Sequence, residues 1–201
     1  MNIQKLYQKV NEDYLLKDSI VKAQITYEEL LIIVEKKNLL DVLIKLKEGE
    51  EYLFAVLIDV CGVDFPDKDN RFTIVYQLLS LVHNQRIRVQ IQVSDKDFVP
   101  SIKNIFGSAH WYEREVWDMY GILFEGNDDL RRILTDYGFS GFPMRKDFPV
   151  TGNVEIRYDI EKQKIVYEPV KLAQEFRNFD MKSPWEGHDY VLPGDEKADN
   201  E

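Results

Sequence analysis

Residues 86–93 read Arg-Ile-Arg-Val-Gln-Ile-Gln-Val, with an apolar side chain at every odd-numbered position and a polar one at every even-numbered position. Successive side chains of a β-strand point to opposite faces of the sheet. The segment is therefore predicted to be a strand with one face on a hydrophobic core and the other in water. Further strands are predicted at Val42, Ile44 and Leu46, over the apolar run 53–60, and at Phe72, Ile74 and Tyr76.

Short, turn-rich segments connect these predicted strands, namely the segment around Gly49, residues 66–70 and residues 83–85. Antiparallel neighbours can be joined by so few residues, whereas a parallel crossover needs a dozen or more. The sequence therefore predicts an antiparallel four-stranded sheet.

Helices are predicted before and after the sheet. Residues 26–29, Thr-Tyr-Glu-Glu, have the form of a capping box, and apolar residues follow, so we expect a helix over about 27–38. Two more helices are predicted, one after Pro100 through Phe106 and one from about Ala109 to Tyr120 with Ser108 as its N-cap. The predicted fold class is α+β, with the helices on one face of the sheet.

The character of the sequence changes after Tyr120. Five of the ten glycines fall in residues 121–152, and only 154–158 and 165–167 look like strands. The stretch is nevertheless rich in aromatic residues and arginine, which are the residues enriched in buried interface cores. We therefore expect a long extended C-terminal arm that lies on a partner protein. The predicted organisation is a lead-in over 1–25, an α+β body over 26–120, a partner-docking arm over 121–185 and an acidic flexible tail over 186–201.

Composition excludes several classes of function. The chain of 201 residues carries 26 Lys and Arg against 36 Asp and Glu, a net charge of −10, which argues against nucleic-acid binding. Its single cysteine, Cys61, cannot form an internal disulfide, a Cys-based zinc site or an iron–sulfur ligand set, and a buried structural thiol is expected there. No apolar run approaches the roughly 18 residues of a membrane span.

The predicted helix over 109–120 carries the densest set of charged and aromatic residues. Glu115 and Asp118 are three residues apart, a spacing that could serve a divalent cation or acid–base catalysis, and Arg114 could reach Asp118 at i+4. No histidine lies at ligand spacing, so an ion-paired structural helix is favoured. A third alternative is that these charges pair with arginines of a neighbouring protein.

Residues 130–152 form a locally basic segment in an acidic chain. Four basic residues stand there against two acidic ones, Asp136 and Asp147. The glycine spacing of a phosphate-binding loop is missing, so docking onto an acidic protein surface explains the bases better.

Four segments together resemble the 30 kDa subunit family of the proton-translocating NADH–quinone oxidoreductase, respiratory complex I. They are Glu-Arg-Glu-Val-Trp-Asp-Met-Tyr-Gly at 113–121, Asp-Leu-Arg-Arg-Ile-Leu at 129–134, Asp-Tyr-Gly-Phe at 136–139 and Arg-Lys-Asp-Phe-Pro at 145–149. The similarity extends to 57–64, 155–158 and 174–177. The family usually has His-Pro where this chain has Asn127-Asp128, and His-Pro-Leu where it has 142–144, which argues against a proton or metal role at those positions.

The resemblance implies a non-redox structural and assembly subunit of the peripheral arm of complex I. That complex transfers electrons from NADH through FMN and iron–sulfur clusters to quinone, coupled to proton translocation. The family is cofactor-free, so the resemblance implies no catalytic residue and no cofactor in this chain. The partners that it implies are complex I subunits D, B and I, of which the first forms the quinone site. Membrane association would then come through the complex, on the cytoplasmic side of a bacterial inner membrane or the matrix side of a mitochondrial one.

The residues predicted to dock on partners lie on the last helix and in the basic segment. They are Glu113, Arg114, Glu115, Asp118, Arg131, Arg132, Arg145, Lys146 and Asp147. Two other classes stay open at this point. One is a free-standing metal-dependent hydrolase using Glu115 and Asp118, and the other is an adaptor outside any redox complex.

Overall fold

A five-stranded mixed sheet lies at the centre of the first part of the chain in the computed structural model, which describes residues 2–174 and 176. The strands are β1 (Ile20–Thr26), β2 (Glu29–Val34), β3 (Val56–Asp64), β4 (Phe72–Ser80) and β5 (Gln85–Val93). Their order is β1-β2-β5-β4-β3, and every neighbouring pair is antiparallel except β2 and β5. The prediction of four antiparallel strands was therefore wrong in the number of strands and in one pairing.

Four α-helices accompany the sheet among the described residues. They are α1 (Ile3–Glu12), α2 (Tyr14–Lys17), α3 (Leu39–Glu48) and α4 (Ala109–Tyr120), with a short 3₁₀ turn at Lys36–Asn38. Two three-residue strands, β6 (Phe98–Pro100) and β7 (Leu123–Glu125), pair in parallel before and after α4. Leu6, Val10 and Leu16 of the predicted lead-in are buried in the same core as β2 and α3.

The alternation at residues 86–93 produces the expected strand, β5. Its apolar residues Ile87, Val89, Ile91 and Val93 are buried in the core. The predicted strands at 53–60 and 72–76 correspond to β3 and β4. Burying an aliphatic side chain stabilises the fold by about 1.5–3 kcal/mol, so each of these four side chains contributes to the stability of the sheet.

The predictions for residues 26–48 were wrong. The expected helix over 27–38 is the β1–β2 turn followed by β2, because Tyr27 and Glu28 adopt φ values of 51° and 62° and reverse the chain in two residues. The expected strand at 42–46 is helix α3. Its buried residues lie at helical spacing, Leu39, Val42, Leu43 and Leu46.

The helix predicted after Pro100 is also missing. Residues 101–108 contain only hydrogen-bonded turns, in which the N–H groups of Ile105 and Phe106 donate to the Ile102 carbonyl oxygen at 2.9 Å. Helix α4 has the predicted bounds and Ser108 precedes it, but the Ser108 side chain makes no capping hydrogen bond.

The chain divides into two compact units, Met1–Val150 and Thr151–Glu201. The division predicted after Tyr120 thus falls within the first unit. In the second unit β8 (Val154–Asp159) and β9 (Lys164–Pro169) form an antiparallel hairpin, as the two strand-like segments predicted. The predicted acidic tail over 186–201 lies outside the described residues.

Candidate partner-docking site

Helix α4 places the carboxylate of Asp118 at the centre of a closed hydrogen-bond cage. The side chain is buried, and Oδ2 accepts from three successive backbone N–H groups, those of Ile133 (3.0 Å), Leu134 (2.8 Å) and Thr135 (3.0 Å). The Thr135 hydroxyl and the Arg132 guanidinium donate to Oδ1 at 2.5 and 2.8 Å. Burial raises the pKa of Asp118, but these donors outweigh burial and hold the pKa well below its ordinary value. The carboxylate is ionised and engaged internally.

Arg132 connects this cage to the chain that follows. Its Nη1 also donates to the backbone oxygen of Asp118, and its Nη2 donates to the carbonyl oxygens of Phe139 and Gly141, each at 3.1 Å. The guanidinium also lies over three aromatic rings. The Asp118–Arg132 ion pair therefore fixes residues 132–141, which we call the Asp118 loop.

A second ion-paired cluster attaches the segment after this loop to the sheet. Arg71 of the β3–β4 connection donates from Nε and Nη2 to the two oxygens of buried Asp64 at 2.7 and 2.8 Å, and lies 3.0 Å from Asp147. The backbone N–H of Lys146 donates to the same Asp64 carboxylate at 2.7 Å. The hydrogen bonds from Arg71 are the main cause that lowers the pKa of Asp64. Asp147 is thus held by this chain's own arginine.

Arg145 is bound within the first unit as well. Its Nη2 lies 2.8 Å from an Asp95 carboxylate oxygen, and its Nε donates to the Tyr120 carbonyl oxygen at 2.6 Å. The guanidinium lies 5.0 Å from the Phe72 ring centroid and 4.8 Å from that of Phe142. The Phe142 ring thus contributes a stacking surface for arginine.

Gly121 ends α4 with a left-handed backbone, at a position that has no room for a side chain. Its φ is +78°, and a Cβ atom there would lie 2.6 Å from the Phe142 ring and 2.9 Å from Arg145. A side chain would strain the backbone and displace this ring. The close approach lets the chain after α4 fold back beside the helix end.

Glu113 is the second buried carboxylate of α4. Its Oε1 accepts from the Ile102 N–H at 2.7 Å, while Oε2 accepts from the Ser101 hydroxyl at 2.7 Å and from the Asn127 amide at 2.8 Å. Burial raises the pKa of Glu113 despite these hydrogen bonds. Asn127 thus supplies a donor to a buried acid.

The predicted pairing of Arg114 with Asp118 was wrong. The Arg114 guanidinium instead donates to the carbonyl oxygens of Arg131 and Arg132, both at 3.3 Å, because Asp118 is already occupied by the loop. Glu115 is exposed whereas Asp118 is buried. The two carboxylates proposed as a hydrolase pair do not form a shared site.

Several of the predicted docking residues remain at the surface. Glu115 and Lys146 are exposed, and Arg131 is exposed while pairing with Asp129. The named docking residues were all charged and left out the exposed apolar side chains between them, of which Leu134 is 62% and Tyr137 is 82% exposed. The sequence analysis also left out Asp64, Arg71 and Asp95. Ion pairs between residues far apart in the chain leave no local spacing pattern in the sequence.

The hairpin of the second unit exposes one apolar face. Cross-strand partners share a face, and the pairs Ile156–Tyr167 and Tyr158–Ile165 lie beside Val154. All five side chains are between 56% and 61% exposed. The opposite face carries charges, including an Arg157–Glu168 ion pair at 2.6 Å. The alternation Val-Glu-Ile-Arg-Tyr at 154–158 was the sequence signal for this face.

Neither a metal centre nor a membrane-spanning helix appears in residues 2–174 and 176. No group of three or more His, Cys, Asp and Glu side chains in that part of the chain could hold a metal ion. No helix there is long and apolar enough to cross a bilayer.

Comparisons with known proteins identify the family. Residues 32–154 match the family described as the respiratory-chain NADH dehydrogenase 30 kDa subunit. The C subunit of the NADH-quinone oxidoreductase of Methylobacterium sp. (strain 4-46) is 56% identical over 90% of this chain and 84% of its own length. The corresponding protein of Brucella abortus (strain 2308) is 57% identical over 91% of both chains.

A solved structure agrees with these relatives. The trypsin-resistant fragment (1-134) of Nqo5 superposes with a TM-score of 0.52 and 26% identity, over 65% of this chain and 100% of the fragment. The chain therefore belongs to the family of the respiratory-chain NADH dehydrogenase 30 kDa subunit, as a component of NADH-quinone oxidoreductase, complex I.

Proposed function

We propose that this chain is a non-redox scaffold of the peripheral arm of complex I, and that its arm over 121–185 docks on neighbouring subunits. By the family resemblance these are subunits D, B and I, of which the first forms the quinone site. FMN and iron–sulfur clusters then belong to the partner subunits. The chain reaches the membrane through the complex, on the cytoplasmic side of a bacterial inner membrane or the matrix side of a mitochondrial one.

The observation that carries this proposal is the apolar face of the β8–β9 hairpin. A two-stranded hairpin by itself is marginally stable in water, and exposed contiguous apolar patches mark interaction sites. Here Val154, Ile156, Tyr158, Ile165 and Tyr167 share one face and are more than half exposed. Tyrosine is enriched at the buried centre of interfaces because it combines a large apolar ring with a polar tip. A partner subunit that covers this face stabilises the hairpin and gains affinity.

The nine docking residues divide into two groups in this proposal. Exposed Glu115, Arg131 and Lys146 contact the partner directly, and the small net positive charge of 130–152 favours an acidic partner surface. The six others hold the docking segment in place through the internal contacts described above: Glu113, Arg114, Asp118, Arg132, Arg145 and Asp147.

The hydrolase alternative has no observation in its favour. Asp118 has its oxygens occupied by five donors from residues 132–135, so it lacks a free position for a metal or a proton transfer. Glu115 is exposed, and among the described residues it is not part of a group of side chains that could hold a metal ion.

The test is Ile156→Asp in the full chain, expressed in place of the native subunit. A charge in the centre of the apolar face costs several kcal/mol if the face is buried by a partner, so assembled complex and NADH-dependent quinone reduction by the membranes fall together. Ile160→Asp is the matched control, because Ile160 lies in the hairpin turn and is also exposed. Equal complex content on a native gel for Ile156→Asp, Ile160→Asp and the wild type contradicts the proposal.

A further inference from the structure

We propose that the core of the first unit binds one water molecule between the Tyr76 hydroxyl of β4 and the Glu113 carboxylate of α4. Both residues are 0% exposed, so this water is enclosed by the protein and is part of the folded core. The site does not depend on the proposed docking function.

The Tyr76 hydroxyl is a buried polar group that needs a partner. It makes no hydrogen bond to any of residues 2–174 and 176, and its oxygen is shielded from solvent. The great majority of buried polar groups in folded proteins are bonded to protein atoms or to ordered water. An unbonded buried hydroxyl carries the full free-energy cost of its desolvation. A small polar ligand at the hydroxyl removes that cost.

Helix α4 runs antiparallel to β4. At the start of the helix the Tyr112 hydroxyl donates to the Ile58 carbonyl oxygen at 2.8 Å. At its end the Tyr120 ring lies against Gly62, where a Cβ atom would be 2.7 Å from the ring. The helix thus follows β3 in the direction of the chain, and β4 is antiparallel to β3.

This direction places Glu113 beside Tyr76. The Tyr120 ring packs edge-on against the Phe72 ring, with 6.3 Å between the ring centroids. Tyr76 lies four residues after Phe72 on the same face of β4, a distance of about 13 Å. Glu113 lies seven residues before Tyr120 on the antiparallel helix, a distance of about 10 Å in the same direction. The two buried side chains are therefore at nearly the same level of the core.

The electrostatics of Tyr76 agree with this placement. Burial raises the pKa of Tyr76 well above its ordinary value, and the negative charge of Glu113 raises it further. The phenol therefore keeps its proton and is available as a hydrogen-bond donor.

The Glu113 carboxylate has one acceptor position left over from its contacts with the described residues. A carboxylate offers about four such positions, two on each oxygen. The Ser101 hydroxyl and the Asn127 amide use both positions on Oε2, and the Ile102 N–H uses one position on Oε1. The remaining position on Oε1 is the one that the water molecule fills.

Water suits both protonation states of this pair. Beside the carboxylate, the water accepts from the Tyr76 hydroxyl and donates to Glu113 Oε1. Because burial raises the pKa of Glu113, the protonated form is also populated as pH falls. The carboxyl group and the phenol then both donate to the water oxygen, which has two acceptor positions. A ligand that only donates or only accepts could not serve both states.

A crystal structure of the purified full chain, at a resolution that shows ordered water, tests the site directly. The expected result is a density peak within hydrogen-bonding distance of both Tyr76 Oη and Glu113 Oε1. A direct hydrogen bond between the two side chains overturns the inference. Well-defined side chains without a peak between them also overturn it.

Thermal unfolding of Tyr76→Phe is a second test, in solution. The substitution removes only the hydroxyl, so the melting temperature falls if that hydroxyl bonds a water molecule. Tyr52→Phe is the matched reference, because Tyr52 is also 0% exposed and its hydroxyl donates to Asp13 at 3.1 Å. We expect both variants to melt below the wild type. A melting temperature of Tyr76→Phe equal to or above that of the wild type identifies an unbonded hydroxyl and overturns the inference.

Discussion

Thr135 donates to Asp118 twice, once from its hydroxyl to Oδ1 at 2.5 Å and once from its backbone N–H to Oδ2 at 3.0 Å. The two residues are 17 positions apart. This double contact ties the last helix of the first unit to the chain that follows it. Stability of the segment after α4 therefore depends on one carboxylate.

Asp118→Asn is expected to lower the free energy of unfolding by about 3–5 kcal/mol, because it leaves Arg132 partly buried without its counter-charge. The measurement is urea unfolding of the purified full chain, with Glu115→Gln as the exposed control on the same helix. A loss no larger than that of the control contradicts the assigned role of the cage.

Acid is expected to destabilise the wild type through Asp118 and Asp64, whose pKa values are lowered in the folded state. A group with a lowered folded pKa contributes stability that is present above its unfolded pKa and is lost as pH falls towards the folded pKa. The loss therefore begins near pH 4 and continues below it. Asp118→Asn should flatten the dependence of unfolding free energy on pH between about 4 and 2. If the unfolding free energies of the variant and the wild type change with pH in parallel, the prediction is wrong.

Glu113 should behave in the opposite way, since burial raises its pKa. The folded state then holds the proton more tightly, so its contribution to stability is full below the unfolded pKa and is lost as pH rises through the folded pKa. The difference in unfolding free energy between wild type and Glu113→Gln should grow in favour of the wild type as pH falls from neutral to about 4.5. A pH-independent difference argues against the raised pKa.

Gly121→Ala is expected to destabilise the first unit by about 1–3 kcal/mol, through its left-handed backbone and the contact of the new methyl group with the Phe142 ring. Gly138→Ala is the matched control, because a Cβ there meets nothing within 4 Å and no positive φ is involved. Thermal unfolding of both variants measures the difference. Equal melting temperatures for the two variants contradict the prediction.

Charge reversal at the two arginines should have different consequences. Arg145→Glu removes contacts with Asp95 and the Tyr120 carbonyl, so it lowers the stability of the purified chain as well as complex assembly. Arg131 is exposed and its side chain bonds only Asp129 among the described contacts, so Arg131→Glu leaves the unfolding free energy within about 0.5 kcal/mol of the wild type. Circular dichroism melts of the two variants distinguish these outcomes.

Many of the strands could be predicted from period-two alternation, and β5 and β8 show why. Their apolar residues are separated by single polar ones, a pattern that no helix can bury. The N-terminal third was misread because local motifs competed there. The capping-box form at Thr26 was coincidental, whereas the helical spacing of Leu39, Val42, Leu43 and Leu46 was real but overlapped an apparent alternation.

The site was only partly predictable for a different reason. The sequence singled out the charged residues of the motif at 113–121, but whether a charged side chain is exposed or buried depends on partners far along the chain. The donors to the Asp118 carboxylate come from residues 132–135. The partner of Asp147 is Arg71, which lies 76 residues earlier in the chain. Such pairs are tertiary contacts, and no sequence spacing encodes them.

The parallel pairing of β2 with β5 sets an order of events during synthesis. The β1–β2 hairpin is complete once residue 34 has been made, yet its sheet neighbour begins at Gln85. Loop closure over such a distance makes non-local strand pairing slow. During that interval the edge of β2 that later pairs with β5 has no strand beside it. An unpaired strand edge can pair with another chain, so slower translation between β2 and β5 should increase aggregation of the nascent chain.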